Sequence, residues 1–71
     1  MEKLSISTDF ITLGQLLKEV GAIDTGGMAK WYLSVHEVYV NQERDMRRGK
    51  KLKLGDRIQL ADGREIEIVS V

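Results

Sequence analysis

The fold is decided by residues 37–58, which read EVYVNQERDMRRGKKLKLGDRI. In the first part of this stretch Val38 and Val40 face one way and Tyr39 the other, which is the two-residue period of a strand. Asn41 and Gln42 then end the strand, because Asn tolerates a left-handed backbone well. Before residue 37 the apolar spacing is helical, so the chain changes from helices to strands here.

The second part of the stretch is strongly basic. Residues 44–57 hold seven of the eleven basic side chains and two acidic ones, so they carry +5 (7 − 2) while the rest of this neutral chain carries −5. A segment with this much positive charge usually binds a polyanion, most often a nucleic acid. Alternatively, the segment is a charged surface loop that only keeps the protein soluble. The seven residues are Arg44, Arg47, Arg48, Lys50, Lys51, Lys53 and Arg57.

Leucines alternate with lysines in the middle of the basic stretch. This alternation predicts that Leu52 and Leu54 anchor the segment to the core, while Lys51 and Lys53 project outward. The charge is therefore expected on a fixed scaffold and not on a free tail.

A first helix is predicted to begin at Thr12. Thr12 and Gln15 have the spacing of a capping box, and Ile11 and Leu16 have the spacing of a hydrophobic staple. Gly21 supplies the left-handed residue that ends the helix. The buried stripe is predicted to contain Leu13, Leu16, Leu17 and Val20.

A second helix is predicted from a cap at Asp24 or Thr25 to Val35. Gly26 and Gly27 lie in its first turn, where glycine costs helix stability. Either their open backbone N–H groups receive a phosphate, or they allow the two helices to pack closely. The buried side is predicted to contain Met28, Ala29, Tyr32, Leu33 and Val35.

Lys30 and Trp31 lie on the other face of the second helix. Trp31 can stack on a base while Lys30 reaches a phosphate; alternatively, Trp31 covers the edge of the core. Tyr39 is a second candidate for base stacking. His36 is expected to end the helix, where its imidazole suits the C-terminal dipole.

The remaining segments predict strands at both ends of the chain. Residues 3–7 alternate as a short edge strand, and residues 57–60 and 65–71 form a hairpin. A three-residue loop, Ala61-Asp62-Gly63, sets Ile58 opposite Ile66 and gives a bulged hairpin. The expected fold class is α+β, with a two-helix hairpin packed on a small, mostly antiparallel sheet.

Composition excludes several classes of site. The 71 residues, expected to form a single domain (1–71), contain no cysteine and one histidine, so no disulfide framework, thiolate metal site or cofactor is expected. No nucleophile lies beside a base, which argues against an enzyme. The chain also lacks a long apolar run, and we expect a soluble cytoplasmic protein.

The order of these elements resembles the RNA-binding domain of the ribosomal-protein S-four type, the alpha-L motif. The resemblance covers about residues 12–60 and rests on the Val-x-Val-Asn strand (38–41) and the Gly-Asp-x-Ile turn (55–58). The chain looks most like the short stand-alone bacterial members. Many family members carry charged residues at the positions of Thr12, Gly14, Gln15 and Gly26, and Gly is common at those of His36 and Gln42. Because this chain lacks those helical charges, RNA binding is expected mainly at residues 44–53.

The resemblance implies binding of structured RNA, such as ribosomal or transfer RNA, by the start of the second helix and the adjoining loop. Recognition would rest on phosphates and shape more than on base edges. Docking of the basic stretch on an acidic protein is the alternative function. The expected RNA-binding residues are Thr25, Gly26, Gly27, Lys30, Arg44, Arg47, Arg48, Lys50, Lys51 and Lys53, with Trp31 or Tyr39 stacking on a base.

Overall fold

The computed structural model describes residues 1–71 as two layers, a pair of helices against a sheet. In chain order the elements are β1 (Glu2–Ile6), β2 (Ile11–Thr12), α1 (Leu13–Glu19), a 3₁₀ turn (Gly26–Met28), α2 (Ala29–Val35), β3 (Tyr39–Val40), β4 (Glu43–Arg44), β5 (Lys51–Leu52), β6 (Arg57–Gln59) and β7 (Glu65–Ser70). The main sheet has the strand order β1-β7-β6-β3-β4, in which only β1 and β7 pair in parallel, and β2 pairs with β5 in a separate ribbon. The predicted α+β class is therefore confirmed.

Helix α1 begins and ends as the sequence predicts. The Gln15 backbone N–H donates to Thr12 Oγ1 at 3.2 Å, and the Thr12 N–H donates to Gln15 Oε1 at 2.9 Å. This capping box satisfies two of the donors that a helix start leaves free. At the other end Gly21 has φ +79°, the left-handed geometry that glycine adopts without strain.

One apolar cluster lies between the helix pair and the inner face of the sheet. The helices contribute Leu16, Leu17 and Leu33, and the sheet contributes the inward-facing Ile58 and Ile66, all of them essentially inaccessible to water. Alternate strand residues face opposite ways, so the neighbours of Ile58 and Ile66 form the outer face of the sheet. Arg57, Gln59 and Glu65 are exposed on that face.

The hairpin of β6 and β7 has the predicted register. Ile58 lies opposite Ile66, the Leu60 N–H donates to the Arg64 carbonyl at 2.8 Å, and the Gly63 N–H donates to the Leu60 carbonyl at 3.0 Å. Gly63 has φ +93°. The loop is therefore Ala61-Asp62-Gly63 with a glycine bulge, as the apolar register required.

Asn41 joins two turns that are distant in sequence. Its Nδ2 donates to Asp56 Oδ1 at 3.0 Å, and its Oδ1 accepts from the Arg57 N–H at 3.0 Å. Asp56 Oδ2 accepts from the Lys53 N–H at 2.9 Å, which fixes the turn around Gly55. The Val-x-Val-Asn and Gly-Asp-x-Ile motifs are thus two halves of one hydrogen-bonded unit.

Two predicted core positions are wrong. Leu54 is 54% exposed, because β5 ends at Leu52 and the turn at Gly55 breaks the alternation that would have turned Leu54 inward. Val35 is 56% exposed, since it lies one helical turn after the exposed Trp31 and shares its side of α2.

Several local details also differ from the sequence prediction. Thr25 precedes the second helix, but its side chain makes no capping hydrogen bond and the first turn is 3₁₀. The short strands β2, β4 and β5 were not predicted. Asn41 and Gln42 do end β3 with left-handed geometry as predicted, with φ 51° and 73°, and they form a two-residue turn between β3 and β4. Positive φ at both positions is typical of a type I′ hairpin turn.

Candidate nucleic-acid interface

Residues 45–50, here called the basic loop, are attached to the start of α1 by main-chain hydrogen bonds. The Gly14 N–H donates to the Arg48 carbonyl at 2.8 Å, and the Leu13 N–H donates to the Lys50 carbonyl at 2.8 Å. Two open donors of the first turn of α1 are therefore occupied by the loop. The position of the basic side chains is set by this backbone docking.

Gly14 is buried at this contact and explains how the loop approaches the helix so closely. A Cβ at Gly14 would lie 3.3 Å from the Arg48 carbonyl oxygen and 3.4 Å from the Ala29 Cβ. At these distances a side chain at Gly14 requires its neighbours to move by a few tenths of an ångström. Gly14 is thus the glycine at which α1, α2 and the basic loop meet.

Gly26 and Gly27 do not serve helix packing, so the close-packing alternative for them is wrong. A Cβ at Gly26 would meet no atom within 4 Å, and one at Gly27 would meet only Thr25 Oγ1 at 3.9 Å. Their backbone N–H groups donate to no acceptor in the protein. They are open donors at the start of the second helix.

The surface beside Gly14 is a groove of about 350 Å³, here called the helix-side groove. Lys18 and Arg48 supply positive charge to it, and no carboxylate lines it. Sequence reasoning missed Lys18, although its spacing of four residues from Gly14 places both on one side of α1. The lining residues are Thr12, Gly14, Gln15, Lys18, Gly26, Ala29 and Arg48.

A second groove, of about 530 Å³, lies between the basic loop and the β3–β4 hairpin, and we call it the hairpin-side groove. It shares no lining residue with the helix-side groove. Three basic and two acidic residues line it, so its charge is mixed. The lining residues are Val40, Asn41, Glu43, Arg44, Asp45, Met46, Arg47 and Lys50.

Asp45 organises the hairpin-side groove. Its Oδ1 accepts from the Arg47 backbone N–H at 2.8 Å and from Arg47 Nε at 3.1 Å, while Oδ2 accepts from Arg47 Nη2 at 2.7 Å. The hydrogen bonds from the Arg47 guanidinium hold the pKa of Asp45 below its ordinary value. Arg47 is therefore already paired, and Lys50, half-buried and without an ion pair, is the freer charge.

The other predicted cations are spread along the same surface and around it. Arg44 makes only a long, exposed ion pair with Glu37 at 3.7 Å. Lys51 Nζ lies 4.8 Å from the centre of the Phe10 ring, a cation–π contact that leaves the ammonium accessible. Lys30 and Lys53 are exposed and make no ion pair, so the outward direction predicted for Lys51 and Lys53 is confirmed.

Trp31 is 55% exposed, so the alternative in which it covers the core is wrong. Its ring meets the His36 ring edge-on, with ring centroids 6.0 Å apart. The centroid of the His36 ring lies 4.5 Å from that of the Tyr32 ring. His36 ends α2 as predicted. Tyr39 lies on the outer face of the sheet, away from α2, and its hydroxyl donates to Glu37 at 3.2 Å.

The structure contains no group of three or more side chains that could hold a metal ion. None of its helices has the length and apolar character needed to cross a bilayer.

Comparison with known proteins agrees with this architecture. The S4 domain family model matches residues 4–69, which include the Asn41–Asp56 unit and both grooves. The chain belongs to the S4 domain family. The match is wider than the predicted 12–60 because it also takes in the end of β1 and most of β7. This S4 domain is 51% identical over 67 residues to the probable ribosome maturation protein RlbA of Bacillus subtilis (strain 168), and the aligned region covers 94% of each chain.

Proposed function

We propose that this S4 domain is a non-catalytic module that binds structured RNA through the phosphate backbone and its shape. The observation that carries the proposal is the docking of the basic loop on α1, which brings Arg48 beside Lys18 in a groove without carboxylates. A phosphate in that groove meets two cations at once, and its binding releases counterions. Family membership favours RNA over an acidic protein partner.

The contacts divide by role. In the helix-side groove Arg48 and Lys18 hold the backbone, and the open N–H groups of Gly26 and Gly27 donate to one phosphate oxygen. Lys30, one turn further along the second helix, extends the positive surface. Trp31 offers an exposed ring face to an unstacked base, which adds affinity with little sequence preference.

The other expected contacts lie on both sides of this surface. Thr25 contributes its hydroxyl, which makes no capping bond. Lys51 and Lys53 approach phosphates beyond the basic loop, while Arg44, Arg47 and Lys50 act from the hairpin-side groove. Tyr39 is the weaker stacking candidate because its hydroxyl is bound to Glu37 on the far face of the sheet.

We further propose that the RNA belongs to the ribosome or to a ribosomal precursor, and that the protein acts in the cytoplasm. The support is the relative named as a probable ribosome maturation protein, which matches the chain almost end to end.

The test is a titration of purified protein with folded ribosomal RNA fragments and with matched DNA, over a series of salt concentrations. We expect binding that prefers folded RNA and weakens with salt. Replacing Lys30 and Arg48 by Gln removes two phosphate contacts, so the slope of log affinity against log salt should fall by about 1.4 to 1.8.

The matched control replaces Lys3 and Arg57 by Gln. Both side chains flank Glu67 on the outer face of the sheet, away from the helix-side groove, and their loss removes the same charge. An equal change of slope in the two variants would show that net charge alone governs binding and would contradict the assigned surface. Absence of RNA binding by the wild-type protein would refute the function.

A further inference from the structure

The basic loop directs neighbouring side chains into different grooves. Arg48 lines the helix-side groove, whereas Arg47 and Lys50 line the hairpin-side groove. The loop backbone lies between the two grooves, because the carbonyls of Arg48 and Lys50 are fixed to α1. Residues 47–50 form a turn, closed by the Lys50 N–H donating to the Arg47 carbonyl at 3.1 Å. The change of chain direction at this turn separates Arg48 from Arg47 and Lys50.

Both grooves have cations that are available to a ligand, in different amounts. Lys18 and Arg48 give the helix-side groove a charge of +2, since nothing acidic lines it. In the hairpin-side groove, Arg47 is paired with Asp45 at 2.7 Å. The freer cations are Lys50 and Arg44, whose ion pair with Glu37 is long at 3.7 Å, and both line the groove with Glu43. The helix-side groove is thus the stronger phosphate site and the hairpin-side groove the weaker one.

A single run of RNA backbone cannot occupy both grooves at one point, because the loop separates them. Two backbone segments can do so if they approach each other closely, and such an approach concentrates negative charge in the space between them. A loop with cations on both sides neutralises both segments together. The second contact is then intramolecular and strengthens binding without any further protein surface.

We propose that the basic loop inserts between two backbone segments of a folded RNA, one in each groove. The ligand class is RNA in which two backbones converge, as at a helical junction or across a narrow groove, and not a single strand. This inference rests on the proposed function, since it names the kind of RNA that the same site takes.

The experiment compares two RNAs of equal length, a uridine single strand and a three-way junction. Three double variants are used: Lys18→Gln with Arg48→Gln for the helix-side groove, Arg44→Gln with Lys50→Gln for the hairpin-side groove, and Lys3→Gln with Arg57→Gln as the charge-matched control. Gln keeps the Cβ and Cγ methylenes of the stem and removes the charge, and far-UV circular dichroism checks the fold of each protein.

The wild-type protein should bind the junction at least about tenfold more tightly than the single strand. Both groove variants should weaken junction binding by more than the control does, but only the helix-side variant should weaken single-strand binding. The distinguishing result is therefore the selective effect of Arg44 and Lys50 on the junction.

Two results would overturn the inference and leave RNA binding intact. One is an equal loss on both RNAs for the hairpin-side variant, which would indicate one continuous backbone track. The other is no loss on the junction beyond that of the control, which would mean that the hairpin-side groove takes no RNA. If the wild-type protein binds neither RNA, the proposed function itself fails.

Discussion

Replacing Asn41 should destabilise the fold by an amount that can be divided into two causes. The side chain of Asn41 makes two hydrogen bonds, to Asp56 and Arg57, each at 3.0 Å. The residue also has φ 51°, which alanine tolerates poorly and glycine tolerates well. Asn41→Gly therefore removes the hydrogen bonds alone, and Asn41→Ala removes them and adds backbone strain.

The magnitudes follow from these two causes. Each lost hydrogen bond costs about 0.5 to 1.5 kcal/mol, so Asn41→Gly should lower the free energy of unfolding by about 2 kcal/mol. Alanine in the left-handed region adds about 1 kcal/mol, which brings Asn41→Ala to about 3 kcal/mol. A domain of this length has a total stability of about 4 to 11 kcal/mol, so either loss is large.

The assay is urea unfolding followed by far-UV circular dichroism, with Gln42→Gly as the control. Gln42 has φ 73° in the same turn, but its side chain makes no hydrogen bond, so glycine there should not destabilise the protein. If Asn41→Gly were as stable as the wild type, the hydrogen bonds would not hold the two turns together. If Asn41→Ala were as stable as Asn41→Gly, the left-handed backbone at residue 41 would impose no strain on alanine.

Three other substitutions test the interface. Gly14→Val should lower the free energy of unfolding by about 1 to 3 kcal/mol and also weaken RNA binding, because the branched side chain pushes away the Arg48 carbonyl. Stability is measured by urea unfolding, and RNA affinity equal to that of the wild type would contradict the prediction. Asp45 has a lowered pKa in the folded state, so its stabilising effect should be present above about pH 4 and lost as the pH falls through the folded pKa. The difference in free energy of unfolding between Asp45→Asn and the wild type should therefore shrink as the pH falls from 7 to about 2. A constant difference would exclude a role for the charge of Asp45. Trp31→Ala should change stability by less than about 0.5 kcal/mol but cost about 1 to 3 kcal/mol of binding. A loss of stability with unchanged affinity would instead make Trp31 a packing residue.

The features that sequence reasoning predicted correctly are those with local causes. The capping box of Thr12 and Gln15, the left-handed Gly21 and the bulge at Gly63 each depend on residues within a few positions of one another. The register of Ile58 against Ile66 followed from the loop length and the apolar alternation. In each case one short segment contains all the physical information.

The features that were missed depend on contacts distant in sequence. The parallel pairing of β1 with β7 is supported by Arg64, which donates to Glu2 at 2.6 Å and to the Val20 carbonyl at 2.9 Å. Leu54 differs from this case, because the turn at the adjacent Gly55 ends the apolar alternation that Leu54 continued. The spacing of apolar residues predicts neither the strand pairing nor the point at which an alternation ends.

The interface was predicted in composition but not in arrangement. The basic segment was evident from charge, yet its division between two grooves depends on the docking of the Arg48 and Lys50 carbonyls on α1. The same docking gives Lys18 and Gly14 their place at the interface. Charge counting cannot find either residue, because one is an isolated lysine and the other has no side chain.

The attachment of the basic loop through main-chain atoms separates what holds the loop from what it presents. The main-chain carbonyls of residues 48 and 50 can make the same hydrogen bonds to α1 whatever side chains these two residues carry, whereas Gly14 must stay small. The exposed loop positions can therefore accept new side chains at little expense to folding. Single substitutions in the loop, natural or designed, can therefore change the RNA preference of the domain while the loop backbone stays in place.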